Sequence, residues 1–237
     1  MKSDQQQLGE KESVATMASV AIDRLRYDIL GGAFAPSTRL RVAELKERYG
    51  VGGSPMREAL SRLVAEGLVH NLNQRGFRVA PISEEDLLDI TETRIALEGA
   101  AVTRAIERGD DVWEGSVLGA FHRIDKFFSQ HPAFTPEEIS AWEEVHSNFH
   151  HTLISACGSP RLILFCGQLY DQATRYRRLL LDYKFEPREV VEEHRALLDI
   201  VLSRDAETAK SVLQKHIAMT ADIVLSTEPG SLKGMKK

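Results

Sequence analysis

Cysteine and long apolar runs are both scarce in this chain. Only Cys157 and Cys166 occur in 237 residues, and their spacing fits no metal motif. We therefore expect a reducing compartment, no disulfide framework, and two thiols that pack as small apolar groups. No apolar run could span a membrane, and residues 1–13 lack the apolar core of a signal peptide. The sequence thus predicts a cytoplasmic protein without a membrane partner.

Strand patterning is scarce as well. Only residues 68–70 and 77–80 look like strands, and the segment 71–76 joins them as a turn. A first helix is expected at 14–30. Six more helices are expected at 84–107, 112–129, 136–157, 160–182, 188–203 and 206–226. The prediction is a mainly α fold with a disordered tail (1–13), a winged helix-turn-helix (14–82), an all-helical bundle (83–227) and a loose tail (228–237).

The stretch 39–79 has the pattern of a DNA-reading unit. A short helix at 42–49 stops at Gly50, which takes a left-handed conformation at low cost. Ser54 can cap the next helix and Pro55 suits its first position. With the strands that follow, this order is a winged helix-turn-helix, whose second helix enters a major groove.

Charge supports this interpretation. Residues 39–79 hold eight basic and four acidic side chains, a balance of +4 in a chain of net charge −5. A local basic surface suits phosphate contacts. The alternative is a structural helical hairpin with a solvated charged face. The predicted DNA-contacting residues are Arg41, Ser54, Arg57, Arg62, Gln74, Arg75 and Gly76.

Ionisable residues recur where the bundle helices should face inward. Arg94 and Glu98 fall in the centre of one apolar arc, and His146 and His150 lie one turn apart in another. His194 and His216 occupy equivalent positions on the last two helices. Each alone could be a satisfied core residue, but together they require partners in the interior. A metal or a polar ligand could supply these partners. Histidines at i and i+4 can share one transition metal, and four imidazoles would suit Zn or Ni, or would bind a carboxylate directly if protonated.

Several motifs in order resemble one family. PMREALSRLVAEGLV followed by NQRGFRV, with ILGGAFAPSTRLRVAEL upstream, resembles the GntR family of bacterial transcription regulators across residues 20–80. The resemblance implies a winged DNA-binding domain. The family often carries a Ser/Thr-Arg pair before the second helix, whereas Gly52 and Gly53 stand here. More of the DNA contact would then fall to Ser54, Arg57 and the wing.

The second half resembles the FCD effector-binding domain of the FadR branch of that family. The matching residues are RIALE at 94–98, Phe149-His150, Glu193-His194 and His216. The resemblance implies a metal bound by an Asp and three His, with His146 at the Asp position. Further similarity (LRVAEL, NQRGFRVAPISEEDLLDI, ACGS and RYR) to glutarate-responsive members implies a dicarboxylate effector. The residues expected to bind it are Arg94, Glu98, Arg175 and Arg177, although the last two also suit a solvated basic helix face.

Three functions fit these patterns. The first is a homodimeric repressor that binds a palindromic operator and is released by a small carboxylate. The second is a metal-dependent hydrolase in the bundle, but residues 146–150 read HSNFH and lack the glutamate base of a His-Glu-x-x-His helix. The third is an architectural DNA-binding protein, in which a structural bundle has no need of four centred histidines. The sequence favours the first.

Overall fold

The computed structural model describes residues 16–72, 76–132, 134–135, 138–180 and 186–227. The tails predicted at 1–13 and 228–237, and Gln74 and Arg75 of the wing, lie outside the described residues. The chain forms a mainly α structure with a small antiparallel sheet near its amino terminus. This arrangement confirms the predicted fold class.

The amino-terminal part, called the winged domain here (residues 16–82), has its own apolar core. It contains α1 (Met17–Leu30), β1 (Arg39–Leu40), α2 (Val42–Tyr49), α3 (Gly53–Ala65), β2 (Val69–Leu72) and β3 (Gly76–Val79). The sheet order is β1-β3-β2, so the predicted hairpin is one strand short of the observed sheet. β1 has only two residues and therefore shows no periodicity, but Leu40 is buried in the core.

The turn between α2 and α3 confirms the prediction for Gly50 as the end of α2, but not the prediction of Ser54 as the cap of α3. Gly50 has φ 67° and ends α2, as predicted. α3 begins two residues earlier than expected, at Gly53 with Gly52 as its N-cap, so Ser54 lies inside the helix and does not cap it. Two glycines cost little in this extended-to-helical transition, which lets the helix start before the serine.

The carboxy-terminal part, called the bundle here (residues 83–227), holds the six predicted helices. They are α4 (Glu84–Arg108), α5 (Asp111–Gln130), α6 (Ile139–Ile154), α7 (Pro160–Leu180), α8 (Pro187–Leu202) and α9 (Ala206–Thr227). α6 continues as a 3-10 turn at Ser155–Cys157. Ser83 and Asp205 accept hydrogen bonds from backbone N–H groups at the starts of α4 and α9, as caps do. Across the described ranges, no helix has the length and apolarity that crossing a membrane requires.

α7 joins the two parts. Gln172 Nε2 donates to the carbonyl of Glu66 at 2.9 Å, immediately after α3, and Arg175 donates to the carbonyls of Ala80 and Pro81. Arg178 Nη1 lies 3.4 Å from the carbonyl of Gly31, which follows α1. α7 therefore contacts the winged domain after α1, after α3 and at residues 80–81. Cys157 and Cys166 are free and buried in the bundle core, which confirms their packing role.

Candidate metal centre and nucleic-acid interface

α3 has the two faces that a recognition helix needs. Its buried side packs against the winged-domain core through Met56, Ala59, Leu60 and Leu63. Ser54 and Arg57 are exposed and lie three residues apart. Arg62 is also exposed, and it pairs with Glu58 at 2.8 Å. An exposed pair of that kind holds its arginine only weakly, so a phosphate or base can replace the glutamate. The exposed face of α3 is therefore free to enter a DNA groove.

The other predicted contact residues are also at the surface. Arg41 precedes α2, is exposed, and pairs with Glu44 at 2.7 Å. Gly76 begins β3 with φ 80°, a conformation that side-chain-bearing residues rarely adopt. Gln74 and Arg75 belong to the undescribed wing tip, so their placement stays a prediction. Apart from those two, every predicted DNA-contacting residue is accessible.

Four histidines from three helices meet inside the bundle. His146 and His150 come from α6, His194 from α8 and His216 from α9, and one ring nitrogen of each lies within 4.8 Å of all the others. His146, His150 and His194 are buried. The rings pack closely, with His150 and His216 stacked at 5.1 Å between centroids. The structure therefore brings together the four predicted metal ligands.

Three ring nitrogens of this cluster are buried and have no hydrogen-bond partner among the described residues. His194 Nδ1 donates to the carbonyl of Val190 at 2.7 Å, which leaves a lone pair on its buried and unpartnered Nε2. His150 Nδ1 is also buried without a partner. His216 Nδ1 lies 3.4 Å from a carboxylate oxygen of Glu193 but makes no hydrogen bond. Buried polar atoms without partners are rare, and an ion bound to Nε2 of His194 would satisfy that nitrogen.

The spacing fits a transition metal. Nε2 of His146 and Nε2 of His150 are 3.2 Å apart. Two nitrogens each about 2.1 Å from one zinc ion lie about 3.0–3.4 Å apart for angles between 90° and tetrahedral. The four ring nitrogens lie within 4.8 Å of one another, so the widest separation exceeds this range and binding would require the rings to move closer together. All four donors are imidazoles, which suit zinc and nickel.

Electrostatics favours the neutral rings that a metal requires. Burial lowers the pKa of His146 and His150 well below 6.5, and neighbouring histidines and arginines lower both further. Burial also lowers the pKa of His194 to about 3. These three imidazoles are therefore neutral at pH 7 and keep a lone pair for coordination. Direct capture of a carboxylate by protonated histidines is correspondingly disfavoured.

Two buried ion pairs flank the cluster. Arg94 Nε donates to Glu98 at 2.6 Å, and Arg177 donates to Glu143 through Nε at 3.2 Å and Nη2 at 2.6 Å. Arg177 has a further partner, because Nη2 also donates to Thr174 at 2.7 Å. By contrast, no hydrogen bond from the described residues engages the terminal Nη atoms of Arg94. Arg94 therefore has donors left for a ligand.

The predicted effector residues thus separate into groups. Arg94, Glu98 and Arg177 lie beside the histidines, whereas Arg175 contacts the linker at Ala80. Arg175 and Arg177 are both buried, so a solvated basic face on α7 is the wrong interpretation. Arg175 and Arg177 project in different directions because positions two residues apart on a helix differ by about 200°.

Two residues near the cluster were not predicted. Glu143 lies one turn before His146 on the same face of α6, so its spacing could have identified it. Tyr170 is buried on α7, and its Oη lies 2.7 Å from His146 Nδ1. An aromatic residue at helical spacing is typical of a core, and no pattern in the sequence sets Tyr170 apart. Only the folded arrangement identifies it.

A winged helix-turn-helix followed by an all-helical bundle defines a class, the DNA-binding transcription regulators. The comparisons with known families agree. Residues 17–79 match the model for bacterial regulatory proteins of the gntR family, and residues 89–219 match the FCD domain. The chain belongs to the GntR family and carries an FCD domain; it is a regulator and not an enzyme.

Individual relatives support this assignment over nearly the whole chain. The HTH-type transcriptional regulator BphR of Paraburkholderia xenovorans (strain LB400) is 40% identical over 90% of this chain and 86% of its own length. The HTH-type transcriptional repressor GlaR of Escherichia coli (strain K12) is 36% identical over 87% of this chain and 95% of its own. The solved structure of E. coli McbR/YncC superposes with a TM-score of 0.75 at 22% identity, covering 88% of this chain and 97% of that one. The last likeness concerns the fold alone.

Proposed function

We propose that this chain is a homodimeric repressor that binds a palindromic operator and is released by a small dicarboxylate such as glutarate. The buried four-histidine cluster with Arg94 beside it carries the proposal. A purely structural bundle gains nothing from burying lone pairs that no protein donor meets. The relative GlaR is named a transcriptional repressor, which supports repression as the action on transcription.

The cluster would hold one zinc or nickel ion through His146, His150, His194 and His216. When bound, such an ion supplies a Lewis-acidic position for one carboxylate of the effector. All four ligands would be imidazoles, which carry no negative charge, so the ion would keep a net positive charge at its ligands and attract an anion. A carboxylate bound there lies in an interior from which water is largely excluded, where its charge interactions are strong.

Arg94 would hold the second carboxylate. Its Nε is committed to Glu98, and the two Nη atoms of its planar group suit a carboxylate oxygen each or one oxygen between them. Glu98 keeps the guanidinium oriented in the absence of effector. An ion at one end and a guanidinium at the other favour a molecule with two carboxylates over one with a single carboxylate.

The DNA-reading end would use two copies of α3. One helix-turn-helix reads few base pairs, and a two-fold pair matches a palindromic site with half-sites one helical turn apart. Arg57 and Ser54, at the start of α3, are the residues placed to reach base edges or phosphates. Sedimentation is expected to show a dimer at micromolar concentration; a monomer that keeps tight operator binding would contradict this part.

The experiment that tests the function is displacement from DNA. Metal-loaded protein is bound to an operator selected from random duplexes, and glutarate, its shorter and longer homologues, and butyrate are titrated in. We expect release by a dicarboxylate and none by butyrate at the same concentration. An architectural protein would stay bound in every titration.

A matched variant locates the effector. Arg94→Met with Glu98→Gln removes both charges together, which avoids leaving one buried ion without its partner. This variant should bind operator as the parent does and no longer respond to glutarate. A full response from the double variant would show that the effector binds elsewhere.

A further inference from the structure

Tyr170 occupies the position between the histidine cluster and the two buried ion pairs. Its ring is 3% exposed. The guanidinium carbons of Arg94 and Arg177 lie 5.3 Å and 4.6 Å from its ring centroid. Its Oη is 2.7 Å from Nδ1 of His146, whose other nitrogen faces His150. Tyr170 therefore contacts one histidine of the cluster directly and on the side away from the shared centre.

A neutral imidazole carries one ring proton, and its position decides what the other nitrogen can do. His146 can coordinate through Nε2 only when Nδ1 bears the proton, and a buried N–H needs an acceptor. Tyr170 Oη is the acceptor that the described residues offer at that nitrogen. The same arrangement exists at His194, where the carbonyl of Val190 accepts from Nδ1 and leaves Nε2 for the cluster.

The alternative tautomer is also accommodated. With its proton on Nε2, His146 donates to Nε2 of His150 at 3.2 Å, and Nδ1 accepts from the Tyr170 hydroxyl. That tautomer blocks coordination by both histidines. Losing the hydroxyl would leave Nδ1 unpaired in both tautomers, as a buried N–H in the coordinating tautomer and as a lone pair in the other. In the coordinating tautomer the Tyr170 oxygen is the partner that the described residues offer to the ring proton, so removing it would destabilise the metal-bound state.

We propose that Tyr170 is a positioning residue, which holds His146 in the tautomer that coordinates metal through Nε2. This role rests on the proposed metal centre, and it extends that centre to a residue on α7. A metal-bound histidine whose second nitrogen loses its hydrogen-bond partner typically binds metal about 10–100-fold more weakly. Tyr170→Phe should show a loss of that size, since it keeps the ring between the two guanidinium groups and removes only the oxygen.

The experiment measures zinc and nickel affinity by competition with a chromophoric chelator, for the full-length parent and for Tyr170→Phe. Tyr176→Phe is the matched control, because Tyr176 is buried on the same helix and its hydroxyl bonds Ser83 and Asp86 at the linker instead. We expect weaker metal binding for Tyr170→Phe and unchanged metal binding for Tyr176→Phe. Both variants should lose some thermal stability.

Nitrogen-15 spectra of the histidine rings give a second readout. In metal-free protein, the parent should carry its His146 proton on Nδ1 to a greater extent than Tyr170→Phe, in which the proton should move to Nε2. If the parent binds metal and Tyr170→Phe binds it with equal affinity, the role of Tyr170 alone is overturned. A parent that binds no metal would overturn the metal centre and this role together, so the two failures can be distinguished.

Discussion

Replacing His150 and His194 by alanine together is expected to abolish metal binding while operator binding survives. The two residues come from different helices and supply two of the four ring nitrogens that lie within 4.8 Å of one another. The remaining pair, His146 and His216, cannot enclose an ion alone. The DNA-reading residues belong to the winged domain, which packs around a separate apolar core. The winged domain should therefore keep its fold and its operator binding.

The size of the effect follows from linkage. A metal at a hundredfold excess over its dissociation constant stabilises the folded parent by about 2.7 kcal/mol. For a chain of this size that corresponds to a rise of roughly 5–10 °C in Tm. The double variant should show no rise, although its metal-free Tm is also lower because two buried rings are lost. The informative quantity is thus the shift on adding zinc or nickel, measured by thermal denaturation and supported by elemental analysis.

The control is His122→Ala, which removes an exposed histidine of α5 and should leave the shift unchanged. Operator affinity, with and without glutarate, is measured on the same samples. A parent that carries no stoichiometric metal and still responds fully to glutarate would refute the reasoning. The cluster would then be a direct pocket for the carboxylate, despite the depressed pKa values of its rings.

Two further predictions concern other parts of the molecule. Arg57→Ala should weaken operator binding by about 1–3 kcal/mol per half-site at constant salt. The control Arg123→Ala, on the exposed face of α5, should leave operator binding unchanged. Equal operator affinity for the parent and Arg57→Ala would contradict the placement of α3. Asp171 is partly buried near Arg26, and desolvation raises the pKa of its carboxyl from 3.8 to about 6. Its folded-state pKa lies above the unfolded value, so stability is lost as pH rises from about 4 through 6. Asp171→Asn should therefore be more stable than the parent by about 1–2 kcal/mol above pH 6, and equally stable near pH 4, in urea titrations; a difference independent of pH would contradict this assignment.

Local patterns predicted the helices well because their causes are local. Gly50 ends α2 through its own backbone conformation, and Ser83 and Asp205 cap helices through side chains three residues from the N–H groups they accept. Strand β1 was missed because two residues carry no period. Ser54 was wrongly assigned as a cap because the preceding glycines allow the helix to start earlier.

Local patterns were less able to predict the candidate site. Helical periodicity placed His194 and His216 on inward faces, but their meeting depends on how α8 and α9 pack, which no local pattern contains. The basic segment of α7 was ambiguous for a related reason. Arg175, Arg177 and Arg178 are nearly adjacent, yet they reach the linker, Glu143 and the end of α1 respectively. Partners of this kind come from distant sequence positions.

The contacts between α7 and the winged domain have a consequence for how such proteins can be recombined. Gln172, Arg175 and Arg178 all donate to main-chain carbonyl oxygens, those of Glu66, Ala80 and Gly31. A carbonyl is present whatever side chain the residue carries, so these three contacts require only the same backbone path. A winged domain with a different reading helix could replace this one without redesign of those bonds. The bundle could thereby keep its ligand while the chimera acquires another operator.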